Sequence, residues 1–226
     1  MTAPLPPPGA VLFDLDGTLV DTVGIRIEAW ARVFGEFGIP VERERLGPLI
    51  GVDGRRLARE VAALNGVALD ARQAEAIDRR CGEIFGELNA EPRPLPGVGE
   101  AVRALEARAI AWAIATSSRR EQVGPSVRAL GLGREPRIVD GSHVEHAKPE
   151  PDLLLLAARE LGVEPARCWY VGDSTWDVAA AIAAGMLPIA VTAGAAVPGE
   201  VLAGAGAALV VATLGDLVAE LQAPRA

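Results

Sequence analysis

Aromatic side chains are scarce in this 226-residue chain: four Phe, four Trp and one Tyr, although half of its residues are hydrophobic. Its core must therefore be packed chiefly by Ala, Val and Leu. Cysteine is nearly absent. Cys81 and Cys168 stand far apart in apolar-patterned segments, which argues against a disulfide framework or a thiolate metal site and reads as two reduced core thiols. No uninterrupted apolar run reaches membrane-span length, and Met1 to Gly9 is Pro-rich where a secretory signal would be basic and then apolar. The expected location is cytoplasmic, with no membrane partner. Basic residues number 22 against 30 acids, a net charge of −8, with no Lys/Arg block to track phosphates, so nucleic acid is not an expected partner. An acidic protein that handles anions needs local positive charge instead, from a cation, a few placed Lys or Arg, and helix N-termini.

What is present begins with Asp14-Leu15-Asp16-Gly17-Thr18, directly after the apolar run Val11-Leu12-Phe13. A buried strand ending in two carboxylates and a glycine turn is the simplest reading. Positions two apart share a strand face, so Asp14 and Asp16 can address one ligand beyond the strand's carboxyl end. Such a pair suits a carboxylate nucleophile beside a carboxyl general acid; a solvated strand end is the plainer alternative.

Residues 1–9 read as a disordered leader. From Val23 to Asn89 the pattern is helical throughout: Ile27, Trp30, Ala31, Phe34 and Phe37 recur at helical spacing, as do Leu57, Val61 and Leu64, then Ala74, Ile77, Cys81, Ile84, Phe85 and Leu88. The Pro-rich stretch Glu91 to Gly97 punctuates the chain. Beyond it, strand-like runs at Ile110–Ala115, Arg137–Val139, Cys168–Val171, Leu187–Val191 and Ala208–Val211 alternate with helical stretches. Those helices fall near 98–108, 120–131, 151–162, 176–185 and 214–222. Alternation of this kind predicts an α/β fold, a Rossmann-like, doubly wound parallel sheet covered on both faces. Residues 10–20 and 96–226 are then the core, and 21–95 an inserted α-helical cap, hinged where the chain crosses twice.

Three further features follow predicted strands. Thr116-Ser117-Ser118 ends one strand in hydroxyls before a helix, a ready anion site or an ordinary turn. Lys148, before Pro149, is held out of helical conformation and can meet a phosphoryl oxygen or neutralise carboxylates. In an arginine-dominated chain with few lysines it need not be surface decoration. Gly172-Asp173-Ser174-Thr175-Trp176-Asp177 ends another strand in two acids four apart, which either face the sheet's mouth or cap a helix.

In this order, these motifs resemble the haloacid-dehalogenase-like hydrolase superfamily over essentially the whole chain after the leader. Asp14 to Thr18 matches the nucleophile motif, Thr116 the hydroxyl motif, Lys148 the lysine motif and Gly172 to Asp177 the acidic motif. The helical insertion resembles the helical cap of the subgroup holding phosphoglycolate phosphatases and β-phosphoglucomutases. The resemblance implies that Asp14 attacks the phosphorus of a small-molecule phosphate monoester, giving an aspartyl-phosphate, while Asp16 serves as acid and then as base. It implies Mg²⁺ on carboxylate oxygens of Asp14 and Asp173 and the main-chain carbonyl of Asp16, with Asp177 ligating or ordering the ligating waters. Thr116, Ser117 and Lys148 would hold the phosphoryl oxygens. Neighbouring carboxylates would raise the Asp16 pKa and favour its protonation at rest, while the metal and Lys148 oppose this.

Dehalogenases of the superfamily lack the second acid, so Asp16 favours phosphoryl chemistry. The mutases tend to carry a histidine in the cap segment after the first motif, where this chain has Arg26, which favours a phosphatase over a β-phosphoglucomutase-like enzyme. A catalytically silent binding module would lack a nucleophile or acid, and every motif position here is filled. For the substrate, Arg26, Asp53, Arg55 and Arg56 are the cap candidates, with a solvated helix face as the plainer reading of the arginines; Arg55 or Arg56 reaching down would suit a second anion, as in phosphoglycolate or a sugar bisphosphate.

Overall fold

The computed structural model describes residues 5–222. Six strands form one all-parallel sheet: β1 (Ala10–Phe13), β2 (Ala111–Ala115), β3 (Ile138–Val139), β4 (Cys168–Gly172), β5 (Leu187–Val191) and β6 (Leu209–Val211). Their order is β3-β2-β1-β4-β5-β6, the doubly wound arrangement, with the topological switch at β1. The register sets Phe13 between Ile114 and Val171, so the carboxyl ends of β1, β2 and β4 finish at one level. Loops leaving those three ends therefore converge, which is where open α/β sheets bind their ligands.

Strand alternation divides the two faces by side-chain size. Val11, Phe13, Trp112, Ile114, Trp169 and Val171 face one side. There they pack on α5 (Val98–Ala107), α6 (Arg120–Ala129) and α10 (Leu214–Gln222). Ala10, Leu12, Ala113, Ala115, Cys168 and Tyr170 face the other. Small residues on that face let α7 (Asp152–Leu161) and α8 (Thr175–Ala183) approach closely through their own alanines. A short helix, α9 (Gly199–Gly204), precedes β6; six mostly small residues carry no apolar period, so nothing in the pattern announces it.

The inserted block comprises α1 (Val23–Glu36), α2 (Arg43–Leu46), α3 (Gly54–Leu64) and α4 (Ala71–Leu88). It has its own core, in which Trp30 stacks on Phe34 at 5.4 Å and packs with Leu57, Val61, Ile77 and Phe85. Asp70 and Gln73 start α4 with a reciprocal pair of hydrogen bonds, at 2.8 and 2.9 Å. Two residues expected in this core face water instead: Phe37 is 47% exposed and Leu64 71%. Both sit at helix ends, where the last turn overhangs the packed layer.

The two crossings between core and cap are paired to each other. Asp21 N–H donates to Arg93 O at 2.9 Å and Leu95 N–H to Leu19 O at 2.9 Å. The expectation of a disordered leader over 1–9 needs correction where it can be seen. Leu5 packs on the core, Trp169 Nε1 donates to Pro6 O at 3.0 Å, and Gly9 N–H donates to Arg167 O at 2.7 Å. Residues 1–4 of that stretch lie outside the described residues. No helix among the described residues is long and apolar enough to cross a membrane.

Candidate active site

Asp14 leaves the end of β1 with its N–H still bonded to Val171 O at 2.9 Å, so the strand fixes its backbone. Its carboxylate is 2% exposed and accepts from Lys148 Nζ at 2.8 Å. Lys148 is the only lysine in the chain. It comes from the loop before α7, is 1% exposed, and also donates to Asp177 Oδ1 at 2.7 Å. Burial alone would favour the neutral amine; Asp14 and Asp177 outweigh it and hold the pKa above the usual lysine value.

Asp173 and Asp177 follow β4. Asp177 is saturated: Oδ1 accepts from Lys148 and from Tyr170 Oη (3.1 Å), Oδ2 from the N–H of Asp173 and of Ser174 and from Ser174 Oγ. Asp173, by contrast, accepts only from Thr18 Oγ1, at 3.2 Å, among the described residues. Gly17 makes room for it. A Cβ there would stand 2.2 Å from Asp173 Oδ2, and the positive φ of 81° is one that glycine adopts freely.

Asp14, Asp173 and Asp177 each place an oxygen within 4.8 Å of the others. Burial pushes the Asp14 carboxyl up to about 7, with Lys148 pulling it back and Asp177 and Asp16 adding to the rise. Burial, then Asp177 and Asp14, also raise Asp173 well above the carboxylate range. Three buried carboxylates against one ammonium leave a negative excess, and the donors are all hard oxygens. That chemistry fits Mg²⁺.

Asp16 faces a different set of partners. Its oxygens accept from Thr22 Oγ1 (2.6 Å), Ser118 Oγ (2.5 Å) and Arg26 Nη2 (2.9 Å), and it does not join the carboxylate cluster. Burial raises its pKa, but Arg26 together with Ser118 and Thr22 outweighs this and holds it below the ordinary value. The expected upward pull of neighbouring carboxylates on Asp16 is therefore corrected. Its nearest charged neighbour is a guanidinium from the cap, not another carboxylate.

A cavity of about 60 Å³ is lined by Asp14, Asp16, Arg26, Thr116, Ser117 and Lys148, among others. Thr116, 1% exposed, is fixed by its N–H bond to Val139 O at 3.0 Å. Sites for small organic ligands usually run to about 300–1,000 Å³, so this one is closed down around its polar floor. Of the four cap candidates, only Arg26 reaches it. Asp53, Arg55 and Arg56 line a second groove of about 630 Å³ on the seam between cap and core, which shares Lys148 with the first. Asp53 caps α3 and pairs with Arg55 at 2.8 Å, Arg55 donates to Glu145 O, and Arg56 pairs with Glu60 and lies over Trp176. These side chains make contacts along the seam and do not line the smaller cavity.

The family model described as haloacid dehalogenase-like hydrolase matches residues 8–185. The chain belongs to the haloacid dehalogenase-like hydrolase family. An N-acetylmuramic acid 6-phosphate phosphatase of Pseudomonas aeruginosa is 32% identical to this hydrolase over 188 residues, 82% of each chain. A β-phosphoglucomutase of Bacillus subtilis is 30% identical over 220 residues, 94% of this chain and 92% of that protein. The crystal structure of a hydrolase from Pseudomonas syringae superposes with a TM-score of 0.90 at 29% identity, covering 96% of this chain and 99% of that one.

Several residues of this hydrolase's cavity went unassigned in the sequence. Trp30, Asp78 and Gln122 all line it. Asp78 left a trace: it lies four residues after Ala74 and three before Cys81, on the edge of the buried stripe of α4. Arg119, at the start of α6, grips Asp78 (2.6 Å) and Glu75 (3.0 Å) across the seam. Tyr170, the only tyrosine, sits under the cluster, with its one hydroxyl proton shared between Asp177 Oδ1 at 3.1 Å and Ala115 O at 3.0 Å.

Proposed function

We propose that this hydrolase is a phosphatase acting on a small-molecule phosphate monoester through an aspartyl-phosphate on Asp14. The observation that carries the reading is that two carboxylates in different electrostatic settings, Asp14 and Asp16, line one cavity together with Thr116, Ser117 and Lys148. One Asp14 oxygen is tied to Lys148, and the other accepts no hydrogen bond among the described residues, as a nucleophile requires.

In the first step that oxygen attacks phosphorus in line. The new bond to Asp14 forms as the ester P–O bond breaks, and Asp16 gives the departing oxygen the proton it took from water in the preceding turnover. In the second, Asp16 as carboxylate takes a proton from water, which attacks the aspartyl-phosphate and releases phosphate and Asp14. Thr116, Ser117 and Lys148 hold the phosphoryl oxygens throughout. Asp14, Asp173 and the main-chain carbonyl of Asp16 would hold Mg²⁺, which supplies positive charge against the phosphoryl oxygens when bound. With five donors already on its oxygens, Asp177 positions Lys148 and the Asp173 loop. Two free, buried cysteines suit a reducing cytoplasm.

The test is phosphate release with Mg²⁺ across a panel of small esters, run beside Asp14→Asn. Release by the wild type and none by the variant is expected; release from no ester overturns the reading. The Bacillus subtilis relative keeps a mutase as second reading. Arg26 stands where that chemistry would favour a histidine. Conversion of β-glucose 1-phosphate in the presence of glucose 1,6-bisphosphate would reverse the ranking.

A further inference from the structure

In the proposed reaction Asp14, Thr116, Ser117 and Lys148 take the phosphoryl group, so the leaving group meets the rest of the cavity wall. That wall is built by Trp30, Gly54, Leu57 and Asp78 from the cap and by Gln122 from α6. Its free polar atoms are few and specific. Asp78 Oδ2 is held by Arg119 Nε (3.2 Å) and Nη2 (2.6 Å), whereas Oδ1 accepts no hydrogen bond among the described residues. Gln122 Oε1 accepts from Arg26 Nη1 and from Arg119 N–H, and its amide N–H₂ donates to no described residue. The unfilled Asp78 acceptor thus stands beside an aromatic ring, whereas the Gln122 amide nitrogen packs against Gly82, where a Cβ would stand 2.1 Å from it. Trp30, 5% exposed and stacked on Phe34, holds that ring still.

Gly54 is what leaves Asp78 there. A Cβ at position 54 would stand 1.9 Å from Asp78 Oδ1 and 3.3 Å from Trp30 Cζ2. The cations nearby are already engaged. Arg26 is bound to Asp16, Ser118 and Gln122 and lies on the Phe85 ring, and Arg119 is bound to Asp78 and Glu75. Arg55 and Arg56 face the other groove. A carboxylate or second phosphate on the leaving group would meet the free Asp78 oxygen with no unspent cation to offset it. Hydroxyl groups meet a good acceptor in Asp78 Oδ1, and the C–H face of a ring meets the indole.

We infer that this wall recognises an uncharged, polyhydroxylated leaving group, a sugar or sugar derivative, and that Asp78 is the hydroxyl acceptor that selects it. The inference rests on the phosphatase reading and sets aside the second-anion substrates suggested by Arg55 and Arg56. A site built to bond a substrate hydroxyl discriminates strongly against analogues that lack it, because its own polar groups are then left unpaired.

The experiment compares kcat/KM for hexose monophosphates, the matching bisphosphates and phosphoglycolate, in the wild type, Asp78→Asn and Gly54→Ala. The first variant removes the charge, and the second displaces the carboxylate without removing it. We expect the wild type to prefer a hexose monophosphate over phosphoglycolate and over its bisphosphate by at least about tenfold. Both variants should shrink that ratio about tenfold or more, chiefly through KM for the sugar ester. A wild type that prefers phosphoglycolate or a bisphosphate overturns the inference and leaves the phosphatase standing. So does an unchanged ratio in both variants when their melting temperatures match the wild type. Should either variant fail to fold, the wild-type ratio decides. Release from no ester overturns the phosphatase reading and the inference with it.

Discussion

Arg26, on the first cap helix, closes onto Asp16, on the loop after the first core strand, with Nη2 2.9 Å from Oδ2 and both side chains 11% exposed. The acid–base group of the proposed reaction is therefore wired to the cap. Ser118 and Gln122 from the core bond the same guanidinium, and Phe85 of the cap lies beneath it at 3.4 Å. A group that must donate a proton in one step and accept one in the next gains from a partner that moves with the lid.

Replacing Arg26 by Gln should therefore move the pH profile. An opposite charge this close lowers a carboxyl pKa by about 1–3 units, and here it works against burial. In the variant Asp16 stays protonated to higher pH, so the acidic limb of kcat, set by the water-activating step, should shift up by about one unit or more. The profile is read at saturating Mg²⁺ and substrate. A limb that does not move removes Arg26 from control of Asp16.

Lys148 joins Asp14 to Asp177 in the driest part of the site. Removing one partner of a buried pair typically costs about 3–5 kcal/mol, because the remaining charge is left uncompensated. Lys148→Ala should accordingly lose turnover by about two to three orders of magnitude. It should also melt lower in chelator, with Mg²⁺ restoring part of the loss by supplying positive charge to the same carboxylates. Calorimetry with and without Mg²⁺ checks this; a variant as stable as the wild type in chelator would contradict the electrostatic account.

That lysine was legible in the sequence, and the cap's contribution largely was not, for a physical reason. Asp14, Thr116, Lys148 and Asp173 are placed by local rules: each follows a buried strand or precedes a helix, and the parallel sheet brings strand ends together. Asp78 depends on what lies opposite. The periodicity of α4 puts it beside Ile77 and Cys81, but its partner Arg119 is 41 residues away in the other part of the chain. Arg55 and Arg56 show the converse. Their position after the loop at Gly51 suggests substrate, but Asp53 and Glu60, two and four residues away, claim them first. Phe37 and Leu64 fit the apolar spacing and still face water, since spacing alone does not say where a helix runs out of neighbours.

The metal-free protein should lose stability as pH rises. The Asp14 carboxyl sits at about 7 in the fold against an ordinary 3.8, and Asp173 is raised in the same sense. Between about pH 4 and 7 the folded state thus binds more protons than the unfolded one, so the slope of unfolding free energy with pH is negative there. Lys148, raised above its usual value, stays protonated across this window in both states and adds no slope. Denaturant melts in chelator should therefore weaken from pH 4.5 to 7.5 by this contribution, and Asp14→Asn should flatten the trend. Added Mg²⁺ should stabilise the wild type more at pH 7.5 than at 5, because it competes with protons for the same oxygens. A stabilisation by Mg²⁺ independent of pH would place the ion elsewhere.

The clamp between Arg119 and the pair Glu75 and Asp78 should set how often the cap opens. The cavity offers only about 60 Å³, so entry of a substrate is expected to flex the paired crossings at 19–21 and 93–95. Arg119 is 27% exposed and makes charge-assisted bonds to both acids, each worth about 1.5–3 kcal/mol in such settings before solvent screening reduces it. Arg119→Ala should shift the resting population toward the open form. Two of the four tryptophans report on that: Trp30 lines the cavity, and Trp176 donates from Nε1 to Pro48 O of the cap at 2.8 Å. Trp112 and Trp169 lie in the core sheet and serve as the constant background. Acrylamide should quench the variant more strongly than the wild type, with higher salt moving the wild type the same way. If the two proteins quench alike, the seam is held by its other contacts, Trp176 to Pro48 and Asp53 N–H to Lys148 O, and Arg119 serves only to fix Asp78.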